Sequence, residues 1–368
     1  MEKPEKETGE RHAARAEILS LSDTDIRFAA KALAAGRLVA FPTETVYGLG
    51  ADAFNSAAVA KVFAAKGRPR FDPLIVHIAR IEHLALVADI DALPLRPREK
   101  ADALCRAFWP GPLTIILPKT REVPLLVTSG LPAVAVRLPD HDAARKLIEL
   151  STGAVAAPSA NPFGGLSPTR AEHVLEGLGN RIDLILDGGR TGIGVESTVV
   201  SLSSDGEPRI LRPGGLSREA IEAVIGPVAV SKEVSVKEGQ GIAAPGQLPS
   251  HYAPRTGLTV HGPEEMAALP YRALEGYLFF SAASRLSWLQ RRPSALPEEA
   301  SRLIRTLSET GNITEAGANF FDMLHGLDRI PLSVIRAEQA PECGVGTAIN
   351  DRLSRAAAAA GPQPPAVS

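Results

Sequence analysis

Residues Lys66–His77 read KGRPRFDPLIVH. Two prolines stiffen a loop carrying Lys66, Arg68, Arg70 and Asp72, and an apolar strand-like run with His77 inside it follows. Upstream, Ser56 is placed to cap a helix whose Val59, Val62 and Phe63 turn inward, and Gly67 is placed to end it. A helix, a tight loop and a buried strand make one segment of an α/β sheet, with cationic side chains at the strand's mouth. Working outward, RLVAF (Arg37–Phe41), LTIIL, AVAVRL, IDLILD and STVVSL read as further strands, and Asp25–Ala35 as a helix stopped by Gly36. The fold class is therefore α/β.

Ser231–Pro249 breaks the pattern. It is rich in Gly, Pro, Lys and Glu without an apolar period, as a linker would be. Beyond it, LTV, GYLFFS and LSVIR read as strands, with helices expected over Glu298–Leu307, Thr314–His325 and Thr347–Ala357. The 368 residues thus divide into a tail (1–22), a large α/β domain (23–230), a linker or lid (231–254), a smaller Rossmann-like α/β domain (255–358) and a disordered tail (359–368).

Bulk properties exclude several classes. The net charge of −2 gives no overall basic field for nucleic acid, so any cationic site is local. The two cysteines, Cys105 and Cys343, form no CxxC pair, which suits a reducing compartment and cannot build a zinc site. The charged start has no apolar core of a secretory signal, and no stretch approaches a membrane span, so a cytoplasmic protein is expected. P-loop, dinucleotide, nucleophile-elbow and HExxH patterns are absent from the sequence.

What remains is a set of polar loops at strand ends, where open α/β sheets hold ligands. FPTETVYGLG offers Thr43, Glu44 and Thr45, and AVAVRLP carries Arg137 in an apolar run. APSANPFGGLSPT offers Ser159, Asn161 and Ser167, GVESTVV offers Glu196 and Ser197, and ILRPGG offers Arg212. Taken singly, each also has a structural explanation. Lys66 and Arg68 could only complement a helix dipole, the threonines and serines could be turn hydroxyls, and His77 could be a satisfied core histidine. Arg137 must meet an anion, whether a ligand or a structural partner, because an unpaired buried guanidinium is costly.

In their order along the chain, PTETVYGLG, KGRPRFDPLIVHI, FWPGPLTIIL, VAVRLPDH, APSANPFGGLSPT, DGGRTGIGVESTVV and ILRPGG resemble the YrdC-like threonylcarbamoyl-AMP synthases over about Asp23–Ile225. PGQLPSHYAP (Pro245–Pro254) and GVGTAINDRL extend the resemblance to the long, two-domain form. The first domain is then expected to be a YrdC-like twisted open sheet with helices. The resemblance implies that L-threonine, bicarbonate and ATP give threonylcarbamoyl-adenylate and pyrophosphate, the first step in modifying the tRNA adenosine beside the anticodon. Separate transferase proteins would complete that modification.

By motif, Lys66 and Arg68 are implied to hold the triphosphate and stabilise charge at the α-phosphorus. Arg137 would take the threonine carboxylate, with Thr45, His77, Ser197 and Thr43 also touching threonine. Arg68, Asp72, Ser159, Ser167, Arg212 and Tyr252 would line the ATP side. Magnesium is expected on the phosphates, without a protein metal site. Two positions depart from the family pattern. Asp72 stands where many members carry Asn, and could accept a hydrogen bond, pair with Arg70 or help hold magnesium; Ala133 replaces a frequent Thr. The linker is expected to fold over the site as a lid. The alternatives are a non-catalytic RNA-binding module of the same fold, and the carbamoyl-adenylate chemistry of hydrogenase-maturation relatives.

Overall fold

The computed structural model describes residues 15–202, 207–231, 242, 245–246, 248, 251–292 and 296–359. The first unit contains β1 (Glu17–Leu19), α1 (Asp23–Ala34), β2 (Val39–Phe41), β3 (Gly48–Asp52), α2 (Ser56–Lys66), β4 (Ile75–Ile78), α3 (Leu84–Val87), α4 (Leu95–Phe108) and β5 (Leu113–Pro118). It continues through β6 (Ala133–Arg137), α5 (Asp142–Leu150), β7 (Ala154–Ala156), α6 (Ala171–Leu178), β8 (Leu184–Leu186), β9 (Thr198–Leu202), β10 (Pro208–Arg212), α7 (Arg218–Ile225) and β11 (Ala229–Val230). Its strands form one mixed sheet in the order β1-β8-β2-β3-β7-β4-β6-β5-β9-β10-β11.

The second unit comprises β12 (Leu258–His261), α8 (Pro263–Ala268), β13 (Glu275–Ser281), α9 (Ala282–Gln290), β14 (Ile304–Ser308), α10 (Ile313–Asp328), β15 (Val334–Glu338) and α11 (Gly346–Ala358). Its four strands are all parallel, in the order β12-β15-β13-β14, as expected of a Rossmann-like sheet. Among the described residues no helix is long and apolar enough to cross a membrane.

Several local expectations change. The cap of α2 is Asn55, whose side chain accepts from the amides of Ala57 and Ala58 at 3.0 and 3.1 Å, so Ser56 is already helical. Gly67 ends that helix at φ +64°. The GLGAD stretch forms β3 despite its glycines, because a side chain at Gly50 would lie 2.9 Å from Phe41 and 3.0 Å from Val155. The expected helix Glu298–Leu307 is instead a short 3₁₀ turn followed by β14, which pairs with β13. The spacing of Leu303, Ile304 and Leu307 suits a helix as well as a strand, and the sheet partner decides. Residues 1–14 of the expected N-terminal tail lie outside the described residues. Glu17–Leu19, however, add a strand beside β8, so the sheet begins before Asp23. Most of the linker and residues 360–368 likewise fall outside the described residues.

The two units share one apolar cluster. Val46, Leu166 and Val195 of the first pack with Phe320, Leu324, Val345 and Ile349 of the second. At the seam Gly194, with φ +77°, lies so near Gly317 and Ala318 that an added Cβ would overlap their backbone. The ring of His173 on α6 stacks on His325 of α10 with centroids 3.8 Å apart, and Arg170 pairs with Asp322 at 2.7 Å.

Burial holds His173 neutral, its pKa lowered to about 3 with further repulsion from His325, Arg329 and Arg170 opposing the attraction of Asp322. Burial and then Arg137 lower His77 to about 3 as well, and burial lowers His325. Native values below the unfolded ~6.5 mean that the unfolded chain binds more protons in between. Stability is then complete above about pH 6.5 and falls as pH drops toward 3, by up to ~1.4 kcal/mol per pH unit for each such histidine. Urea midpoints measured from pH 8 to pH 5 should decline below pH 6.5; a flat profile would contradict these neutral histidines.

Candidate active site

Neighbouring strands assemble the site. In the sheet β4 runs parallel to β6 with His77 opposite Arg137, and Thr114 of β5 lies opposite Arg137 on the other side. The strand β9 begins just after Ser197, beside β5. One cavity opens at these strand ends. Its walls include Thr43, Arg68, His77, Arg137, Ser159, Ser197, Arg212 and Tyr252, together with Glu196, Pro245, Gly246 and His251. The guanidinium-bearing strand and the KGR loop therefore face the same space.

Arg137 is 3% exposed. Its Nη2 lies 2.7 Å from Glu44 Oε1, an ion pair whose angle falls short of a hydrogen bond, and its Nε donates to the Gly111 carbonyl at 3.3 Å. Arg212 donates from Nη2 to the Ser197 carbonyl at 2.9 Å and from Nη1 to the Pro245 carbonyl at 3.2 Å. Ser197 Oγ meets Thr114 Oγ1 at 2.7 Å. Arg68 donates to the carbonyls of Asp72 and Pro73 at 3.0 and 2.7 Å, and its Nη2 lies 2.7 Å from the Asp72 carboxylate. Among the described residues Arg212 Nε, Arg137 Nη2 and His77 Nδ1 have no hydrogen-bond partner.

Four expected residues stand behind the walls rather than in them. Thr45 is fully buried, its hydroxyl 2.8 Å from that of Thr43, which itself donates to the Val46 carbonyl at 2.7 Å. Lys66 is 3% exposed and donates to the carbonyls of Ser159, at 2.5 Å, and Asn161. Burial pushes its amine well below the ordinary lysine range, and Arg68 pushes the same way. Asp72 is fully buried and pairs with Arg68, not Arg70; burial raises its pKa against the pull of Arg68. Ser167 donates to Glu196 Oε1. Lys66 and Ser167 thus brace loops that line the cavity.

The open volume is about 40 Å³, room for roughly three waters and far below the ~300 Å³ and more of ordinary small-molecule sites. His251 and Tyr252, from the segment before β12, line part of it.

Residues 216–358 match the family model described as threonylcarbamoyl-AMP synthase, C-terminal domain, and residues 31–214 match the Sua5/YciO/YrdC model described as telomere recombination. The threonylcarbamoyl-AMP synthase of Pyrococcus abyssi is 43% identical over 338 residues, 91% of this chain and 95% of its own. That of Bacillus subtilis is 44% identical over 342 residues, 92% and 94% of the two chains. The chain belongs to the two-domain threonylcarbamoyl-AMP synthase family. The crystal structure of P. abyssi Sua5 complexed with L-threonine superposes with a TM-score of 0.80 at 40% identity, covering 93% of this chain and 98% of that one.

For this member of the synthase family, sequence reasoning named Glu44 and Glu196 among the polar loops without giving them a role, and left out His251 and Arg352. Glu44 had a usable signal, since Arg137 required an anion and Glu44 lies in the adjacent polar loop. Arg352, which pairs with Glu196 at 3.0 Å, sits in the quoted GVGTAINDRL stretch, but nothing there marks its partner, 156 positions away.

Proposed function

We propose that this cavity makes threonylcarbamoyl-adenylate and pyrophosphate from L-threonine, bicarbonate and ATP. One observation carries the reading: the guanidinium groups of Arg68, Arg137 and Arg212, from three separate elements, line a single cavity in a chain of this family. A carboxylate, a carbamate and a triphosphate must be held together for the reaction. Fixed positive charge in a site of low polarity is what brings such anions together.

Arg137 takes the threonine carboxylate, with Glu44 as its partner in the free protein. Thr43, His77 and Ser197 border that end, and Thr45 acts through Thr43. The threonine amine adds to CO₂ supplied by bicarbonate. A carbamate oxygen then attacks the α-phosphorus as the bond to the pyrophosphate oxygen breaks. Arg68, Arg212, Ser159 and Tyr252 border the nucleotide. Lys66, Asp72 and Ser167 set the loops from behind, and Lys66 joins the phosphates if its two carbonyl partners are exchanged for them.

Among the described residues no group of three or more metal-binding side chains is assembled. Magnesium would travel on the phosphates, where it neutralises their charge. The product is an activated carbamoyl group, to be passed in the cytoplasm to transferase proteins acting on the tRNA adenosine beside the anticodon.

Pyrophosphate release should require threonine, bicarbonate and ATP together, with omission of any one reducing it to background. Release that persists without threonine would refute the reading. Salt-sensitive RNA binding without such release would favour the non-catalytic RNA-binding module.

A further inference from the structure

One arginine of α11, in the second unit, reaches the cavity's walls. Arg352 is fully buried. Its Nε donates to Glu196 Oε2 at 3.0 Å, its Nη1 donates to Asp351 Oδ2 at 2.6 Å, and its guanidinium carbon lies 4.8 Å from the ring centroid of Tyr252. Glu196 and Tyr252 both line the cavity. Glu196 is also bonded to Ser167 and precedes Ser197, whose carbonyl accepts from Arg212.

Tyr252 needs holding. Its φ is +61°, a region that side-chain-bearing residues enter only when their surroundings impose it. Phe321 of α10, with ring centroids 6.0 Å apart, and Arg352 supply that grip from the second unit. One turn further along α11, Arg355 donates to the Leu248 carbonyl at 2.6 Å and pairs with Asp351 at 3.0 Å. The helix thus holds the segment before β12 at two points. A guanidinium is a costly filler for a core position that leucine or methionine would occupy at less expense in desolvation. Its fork and its flat face are both used here, which a simple packing role does not need.

We propose that Arg352 is a positioning residue for the reaction, fixing Glu196 and Tyr252 so that the nucleotide side of the cavity is formed before ATP enters. This rests on the reading of the cavity as the site of adenylate synthesis. It gives the second unit a part in the chemistry carried out by the first.

The test uses the full chain with Arg352→Met, which keeps the stem and removes the charge, and with Arg352→Lys, which keeps a charge opposite Glu196. Two readouts are taken: pyrophosphate release across separate ATP and threonine titrations, and hydrogen exchange at the Ala253 amide, which donates to the Gly164 carbonyl at 2.8 Å. In Arg352→Met the KM for ATP should rise about tenfold. The KM for threonine should move less than threefold, and exchange at Ala253 should quicken about tenfold while the β13 amides are unchanged. Arg352→Lys should fall between that variant and the wild type. A wild-type KM for ATP with wild-type exchange at Ala253, in either variant that folds, overturns the proposal. So does faster exchange spread through β13 with the KM for ATP unmoved, the pattern of a merely structural arginine. Should the wild-type chain release no threonine-dependent pyrophosphate, the functional reading fails by itself, and exchange at Ala253 still decides whether Arg352 holds the segment.

Discussion

Arg137→Ala should lower kcat/KM for threonine by two to three orders of magnitude and leave the KM for ATP within a few-fold. The argument is electrostatic. The guanidinium is buried, and deleting it removes the proposed partner of the substrate carboxylate and strands Glu44, whose carboxylate is paired with it at 2.7 Å. Truncating one member of a desolvated charge pair costs about 2–5 kcal/mol, and each ~1.4 kcal/mol is a factor of ten. Arg137→Lys should recover little of this, because an ammonium cannot match the planar fork that meets Glu44, Gly111 and a carboxylate together. Initial rates of pyrophosphate release over a threonine titration at saturating ATP would measure it. A threonine KM within threefold of wild type would assign Arg137 to the ion pair with Glu44 alone.

The second large effect is expected at Lys66. Lys66→Met should reduce turnover at least 100-fold and also destabilise the protein. The stability loss comes from the carbonyls of Ser159 and Asn161, which lose their donor; an unsatisfied buried acceptor costs about 1–3 kcal/mol. The turnover loss follows from the role proposed for Lys66 at the phosphates, which would lose a cation. The two are separable. Thermal melting reports the first, and kcat measured well below the melting temperature reports the second. Normal kcat in a less stable variant would restrict Lys66 to bracing the loop and leave the phosphates to Arg68 and Arg212.

Much of this site could be read from residues whose chemistry conflicts with their surroundings. An arginine in AVAVRLP and a histidine in LIVHIA are conspicuous because apolar strands do not tolerate unpaired polar groups, and both reach the cavity. The KGRPRFDP loop was legible for the same reason, but the parts played by its members were not. Gly67 turns the chain through φ +64°, so Lys66 and Arg68, two positions apart, point to different partners: carbonyls of the SAN loop in one case, the cavity and Asp72 in the other. Only coordinates can resolve such a turn. The pairing of Asp72 with Arg68 was equally hidden, since Arg70 is nearer in sequence. The strand GLGAD was obscured by glycines that exist for packing, and β14 by apolar spacing that suits two structures. Arg352 was beyond reach, because nothing local in NDRL points to a glutamate in the other unit.

The close approach of Gly194 to Gly317 has a consequence for recombining such proteins. With two backbones abutting, not even a methyl group fits between the halves, so the joint has no slack. A chimera that takes its second half from a relative would have to keep glycine at position 194, whereas an added Cβ at position 317 would meet Val345 within that second half. Without Gly194 the replacement half would be displaced sideways, carrying its arginine away from the glutamate it serves.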